Sequence, residues 1–118
     1  MLIGTMVLAS SIYDDVSAAF TAGSADKLAS LFASNVDLTL LTTEGVYSKV
    51  QTEQIIKKFF VQHPPASFKI QHQGASKEDA MYGIGLYEDS KGATFRISFY
   101  LKQFKGQNLI RELRFEKE

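Results

Sequence analysis

From Ser67 to Glu118 apolar residues return at nearly every second position, in runs separated by turn-forming residues. Phe68, Ile70, Phe95, Ile97, Phe99, Leu101, Leu109, Leu113 and Phe115 write one apolar face across four consecutive strands. A sheet with one apolar face must bury it on another layer. In a chain of 118 residues, the helical patterns of the first half are the available partner. The expectation is a single α+β domain over residues 1–118: three N-terminal helices on the concave face of a curved, mostly antiparallel sheet, in the order α-α-β-β-α-β-β-β-β.

The helices have readable ends. The first is expected from about Ser11 to Ala22, with Ser11 and Asp14 as a capping pair and Gly23 as the C-terminal cap. Leu2, Met6, Ala9, Tyr13, Val16 and Phe20 continue a helical stripe upstream. The alternative for residues 1–11 is the remnant of an export signal, with Ala9-Ser10-Ser11 as its cleavage site. That segment is too short to span a bilayer. Ser24 caps a short second helix that carries Leu28, Leu31 and Phe32 and ends at Asn35. Ser48 and Gln51 form the capping box of a third helix, whose Ile55, Ile56, Phe59 and Phe60 share one face. His63-Pro64-Pro65 stops it, because proline lacks the amide hydrogen and restricts the residue before it.

The strands can be registered by hand. Val36 to Thr42 is the first, a turn follows at Thr43-Glu44-Gly45, and Val46-Tyr47 is at most a short second strand. Strands then run over Phe68–Ala75, Ala80–Glu88, Ala93–Phe104 and Asn108–Lys117, with a loop at Ser76–Asp79. The tight turn at Lys105-Gly106-Gln107 sets Phe99 opposite Leu113, Ile97 opposite Phe115 and, on the other face, Arg96 opposite Glu116. Gly83 and Gly85 then fall on the inner face, across from Ile97 and Phe95, where a missing side chain lets a large ring lie on the backbone.

The order of elements resembles the cone-shaped nuclear-transport-factor-2-like superfamily. The resemblance is carried by Ala19-Phe20-Thr21-Ala22-Gly23-Ser24-Ala25-Asp26, by Leu28 and Leu31-Phe32, and by the first strand. Several shorter stretches are similar to a bacterial family of short, usually secreted domains of unknown function. They include Gly45-Val46-Tyr47-Ser48-Lys49, Gln54-Ile55-Ile56, Phe59-Phe60, Pro64-Pro65, Phe68-Lys69, His72-Gln73-Gly74, Tyr82-Gly83-Ile84-Gly85 and Phe95-Arg96. The resemblance implies the cone fold, and for compartment it implies an extracytoplasmic site. It implies no activity.

Enzymes of that superfamily move protons inside the cone, which requires a desolvated carboxylate facing a hydrogen-bond donor. In the steroid-isomerase type the base lies late in the first strand and a donor Tyr on the first helix. Alignment on Gly23 puts Leu40 and Val16 at those places, and Ser98 or Phe99 where a second acid belongs. The resemblance therefore implies no isomerase machinery here.

Charge and composition narrow the alternatives. Thirteen basic residues balance thirteen acidic ones, so no global field draws nucleic acid or an anionic membrane. The absence of Cys removes thiol nucleophiles and thiolate metal sites. His63 and His72 alone make a poor metal constellation, and Gly83-Ile84-Gly85 lies within a strand and opens no helix, so no metal and no cofactor are expected. His63, at a helix end beside two prolines, reads as exposed or as a cap.

The residues expected to line the cavity or touch a ligand are His72, Arg111, Tyr47, Tyr13, Phe59 and Phe99. His72, on the inner face with Phe68 and Ile70, is the weak candidate for a general base. Arg111, inward and opposite Leu101, could grip an anion with its planar fork. Tyr82, Ile84, Leu86, Tyr100 and Ile110 form a half-apolar outer face suited to a homodimer. The reading is a non-catalytic domain that binds a small apolar or amphipathic ligand or another protein. Its alternative is a cofactor-free lyase or isomerase acting through His72.

Overall fold

Gly23 adopts a left-handed conformation with φ 61°, and its amide caps the carbonyls of Ala19 and Phe20, which ends the first helix where the sequence predicts. The computed structural model describes residues 11–75 and 80–118. The helical stripe upstream of Ser11 and the loop expected at Ser76–Asp79 lie outside the described residues. The elements are α1 (Ile12–Ala22), α2 (Ala25–Ala29), β1 (Phe32–Leu40), β2 (Thr43–Ser48), α3 (Lys49–Gln62), β3 (Pro65–Ala75), β4 (Met81–Asp89), β5 (Thr94–Phe104) and β6 (Gln107–Lys117). They form the curved α+β architecture, with one six-stranded sheet in the order β2-β1-β6-β5-β4-β3. Every pairing is antiparallel except β1 with β6, which is parallel. No described helix is long and apolar enough to cross a membrane.

The capping predictions hold. The Ser11 side chain accepts from the Asp14 amide, Ser24 from the Lys27 amide, and Ser48 with Gln51 closes a complete capping box on α3. Three boundaries move, one of them the start of β3, which lies at Pro65 and not at Phe68. Helix α2 ends at Ala29, and Leu31 and Phe32 leave it, Phe32 opening β1. Phe32 is 2% exposed, so its ring is worth more against the sheet core than in another helical turn. The β1–β2 turn is made by Leu41 and Thr42, with Leu41 at φ 56°, and Thr43 to Gly45 belong to β2. The second strand is therefore six residues long, and Gly45 pairs with Leu38 inside the ladder.

Phe99 pairs with Leu113, Ile97 with Phe115 and Arg96 with Glu116, as the turn at Lys105-Gly106 dictates. Gly83 and Gly85 lie on the inner face, but their partners are Phe99 and Ile97, each two residues from the expected one. A Cβ on Gly83 would collide with the Phe99 ring, and one on Gly85 with the ring of Phe68. These glycines let the two rings sit flat on β4.

The core lies between the helices and the concave face. Val16, Phe20, Leu28, Val36, Leu38, Ile56, Tyr87, Phe95, Ile97, Phe99, Ile110 and Leu113 are fully shielded from solvent. Two of the bulges in the sheet move residues that the period-two reading placed. One lies between Ile70 and His72 in β3, the other at Arg111 in β6, where Tyr100 faces Glu112 but Leu101 faces Ile110. Each inserts one residue and reverses the faces beyond it. Leu109, expected inside, therefore pairs with Lys102 and is only half-buried, while Ile110, expected outside, takes the inner place and is fully buried.

Candidate functional site

The hollow of the cone is occupied by the protein's own rings. Phe59, from the buried face of α3, sits with its ring centroid 4.8 Å from that of Phe115, 5.1 Å from Phe95 and 5.4 Å from Tyr87. Phe20 of α1 stacks on Phe68 at 4.7 Å and meets Phe60 edge-on at 5.9 Å. Offset and edge-to-face arrangements at these separations are the favourable ones. The space between these helices and the sheet is packed aromatic core.

The residues expected to line a cavity are dispersed. Phe59 and Phe99 are core, 2% and 0% exposed. Tyr13 points its hydroxyl at the carbonyls of Tyr82 (3.1 Å) and Gly74 (3.3 Å), so it fastens α1 to the β3–β4 hairpin. Burial, with Tyr82 nearby, raises the Tyr13 pKa above the ordinary phenol value. Tyr47 lines a shallow groove of about 260 Å³ with Gln51, Gln54, Ile55 and Lys58. His72 is a correction: the β3 bulge pairs it with Ile84 on the outer face, where it is exposed. Arg111 is a second correction. As the bulge residue of β6 it is exposed on the outer side, not turned inward opposite Leu101. His72, Arg111 and Tyr47 stand at three separate places and do not converge. Val16 belongs to the apolar core, and Leu40 packs on it.

The structure assembles one polar cluster that sequence reasoning missed. His63 Nδ1 lies 2.8 Å from Oδ2 of Asp89, whose side chain is 1% exposed. The other carboxylate oxygen of Asp89 accepts from the amides of Lys91 and Ala93, both at 2.9 Å. The Tyr87 hydroxyl donates to the His63 carbonyl, and the Ser90 amide to the Pro64 carbonyl at 2.8 Å. The hydrogen bond from His63, aided by those two amides, holds the Asp89 carboxyl below the usual carboxylate range, against the opposing effect of burial. Burial pushes the Tyr87 hydroxyl well above the ordinary phenol range, with the Asp89 charge adding to it. An ionised Asp89 accepts only, so the hydrogen bond is donated by Nδ1–H of His63. The His63 ring rests on Phe59 (5.0 Å) and Phe95 (4.8 Å). The cluster ties the end of α3 to the β4–β5 turn.

The outer face of the sheet carries the remaining candidates. Tyr82, Ile84 and Leu86 run along β4, opposite Tyr100, Ser98 and Arg96 of β5. The rings of Tyr82 and Tyr100 lie 6.3 Å apart, and Tyr100 is 38% exposed. Ile110 does not belong to this face. Beyond β5 the surface turns ionic, with Arg114 3.6 Å from Glu112, and with Glu116 opposite Arg96 in the strand register.

Comparison with known proteins follows the same architecture. Residues 13–116 match the family described as Domain of unknown function (DUF4783). The crystal structure of a DUF4783 family protein from Bacteroides ovatus superposes with a TM-score of 0.82 at 26% identity, covering 88% of this chain and 93% of that one. Another, from Bacteroides uniformis, gives a TM-score of 0.85 at 23% identity, covering 92% and 98%. A nuclear-transport-factor-2-like protein of unknown function from Shewanella baltica gives 0.65 at 13% identity over 90% and 87%, which is a likeness of fold. None of the curated proteins is significantly similar to this chain.

Proposed function

The chain belongs to the DUF4783 family, and we propose that this member is a non-catalytic interaction domain that pairs with a second copy of itself through the outer face of its sheet. The observation that carries the reading is the contrast between the two faces. The concave face is filled by Phe20, Phe59, Phe68, Phe95 and Phe115. The convex face leaves Tyr82, Ile84, Leu86 and Tyr100 half-exposed in one group. Water contact with such a group is unfavourable, and a sheet face is self-complementary under a two-fold axis. The column is bordered by Lys69 and His72 on one side and by the Arg96, Arg114, Glu112 and Glu116 ladder on the other. A rim carrying both signs suits an isologous interface, because each sign finds its opposite on the partner.

Sedimentation velocity across a wide concentration range tests the reading. The wild type is expected to sediment as a dimer. Ile84→Lys, at the centre of the column, is expected to be monomeric with unchanged circular dichroism. A wild type that stays monomeric at the highest concentration would overturn the proposal.

A further inference from the structure

Where the β6 bulge faces β1, the sheet opens. Between the pairs Phe32–Ile110 and Asp37–Glu112, β1 spends residues 33–36 against the single residue Arg111 of β6. The β1–β6 ladder is interrupted over that stretch. A concavity of about 340 Å³ lies there. Ala33, Ser34 and Asn35 lie along its β1 side, Val46 and Phe104 supply apolar walls, and Arg111, Lys102 and Asp37 supply charge.

Three features meet at this place. Among the described residues neither Arg111 nor Lys102 has a carboxylate within 4.0 Å, although the next residues of β6 do pair, Arg114 with Glu112. Lys102 Nζ stands 5.8 Å from the centroid of Phe104, a ring left 42% exposed. Val46, across the opening, is 70% exposed. Two cations with no carboxylate within 4.0 Å among the described residues thus adjoin apolar surface, beside Ser34 and Asn35. The guanidinium fork matches a carboxylate in two parallel hydrogen bonds.

We propose that this concavity binds an organic carboxylate carried on a flat apolar body. Arg111 takes the carboxylate, Lys102 adds the second positive charge, and Phe104 with Val46 covers the apolar part. Asp37 stands at the rim as an opposing charge and keeps affinity low for small, highly charged anions. The residues of this site are not among those of the apolar column or its charged rim proposed above for pairing, although Arg111 adjoins Glu112 of that rim.

Titration with benzoate, followed by amide chemical shifts, tests the assignment, with acetate and inorganic phosphate as parallel arms. The expected result is saturable shifts confined to residues 33–37, 102–104 and 111, with benzoate tighter than acetate or phosphate. Arg111→Gln, an exposed change that leaves the spectrum of the free protein folded, should weaken benzoate at least about tenfold. Asp37→Asn should tighten it several-fold by removing a like charge. Absence of saturable shifts, or unchanged binding in Arg111→Gln, would overturn the site. Phosphate binding as tight as benzoate would overturn the carboxylate assignment, and so would weaker benzoate binding in Asp37→Asn.

Discussion

The Nδ1 atom of His63 lies 2.8 Å from Oδ2 of Asp89, joining the last turn of α3 to the β4–β5 hairpin across 26 residues of sequence. The contact is more than a pair of side chains. Asp89 also gathers the amides of Lys91 and Ala93, and the Tyr87 hydroxyl holds the carbonyl of His63 itself. Removing the carboxylate therefore strands several donors at once, and a buried donor without a partner costs more than the bond was worth.

The acid limb of the stability profile follows from that arrangement. Asp89 is held below the ordinary carboxylate range in the folded protein. A depressed folded-state pKa means that its contribution is fully present above the unfolded value of roughly 4, and is lost as pH falls through the folded value. The melting temperature of the wild type should therefore fall more steeply from pH 5 to pH 2 than that of Asp89→Asn. Near neutrality Asp89→Asn should melt below the wild type. Parallel acid limbs in the two proteins would contradict this.

Gly83 makes a steric prediction. Its missing side chain is the space into which the Phe99 ring fits, and Phe99 is fully buried. Gly83→Ala should destabilise by about 1–3 kcal/mol, the usual cost of overpacking a tight core. Phe99→Leu should recover part of that loss in the double variant, and a double-mutant cycle in urea measures the coupling. Additive effects would mean that ring and glycine do not share the space.

The Tyr13 hydroxyl offers a smaller, cleaner test. It is shared between the carbonyls of Tyr82 and Gly74. Tyr13→Phe should cost roughly 0.5–1.5 kcal/mol and leave the ring contact with Phe99 intact. Amide exchange at the β3–β4 hairpin end should accelerate, because that is where α1 is fastened.

How far the sequence reaches is visible in particular residues. Phe99 opposite Leu113 and Arg96 opposite Glu116 were legible, because one tight turn fixes a register and both faces must agree with it. The caps at Ser48 and Gly23 were legible for the same kind of reason, a local rule with a local cause. His72, Ile110 and Arg111 were misplaced by one feature each time. Counting by two assumes an unbroken ladder, and a bulge adds one residue that no propensity marks. The Leu41-Thr42 turn was hidden because Leu41 adopts φ 56° without being Gly or Asn, while Gly45 nearby offered a better turn signal and is strand. The His63–Asp89 pair had only a faint signature: an Asp opening the turn Asp89-Ser90-Lys91-Gly92, and a His at a helix C-cap. Nothing local says that the two ends meet.

Phe59 decides between a solid and a hollow cone. Its ring packs on Phe60, Tyr87, Phe95 and Phe115 at once, and it is the side chain by which α3 fills the concave face. Truncation to alanine should cost about 3–5 kcal/mol, since the transfer energy of the ring is lost and the rigid walls contributed by β4, β5 and β6 collapse only in part. The vacated volume would be lined by aromatic and aliphatic atoms, a kind of void that stays dry and admits small apolar molecules. Benzene should therefore raise the melting temperature of Phe59→Ala, while the wild type, whose interior is already occupied, should show no such rise. The shift follows by linkage, because a ligand that binds only the folded state stabilises it in proportion to its occupancy. A comparable rise in the wild type would show an internal space open to ligands, and the interior would then have to be treated as a binding cavity.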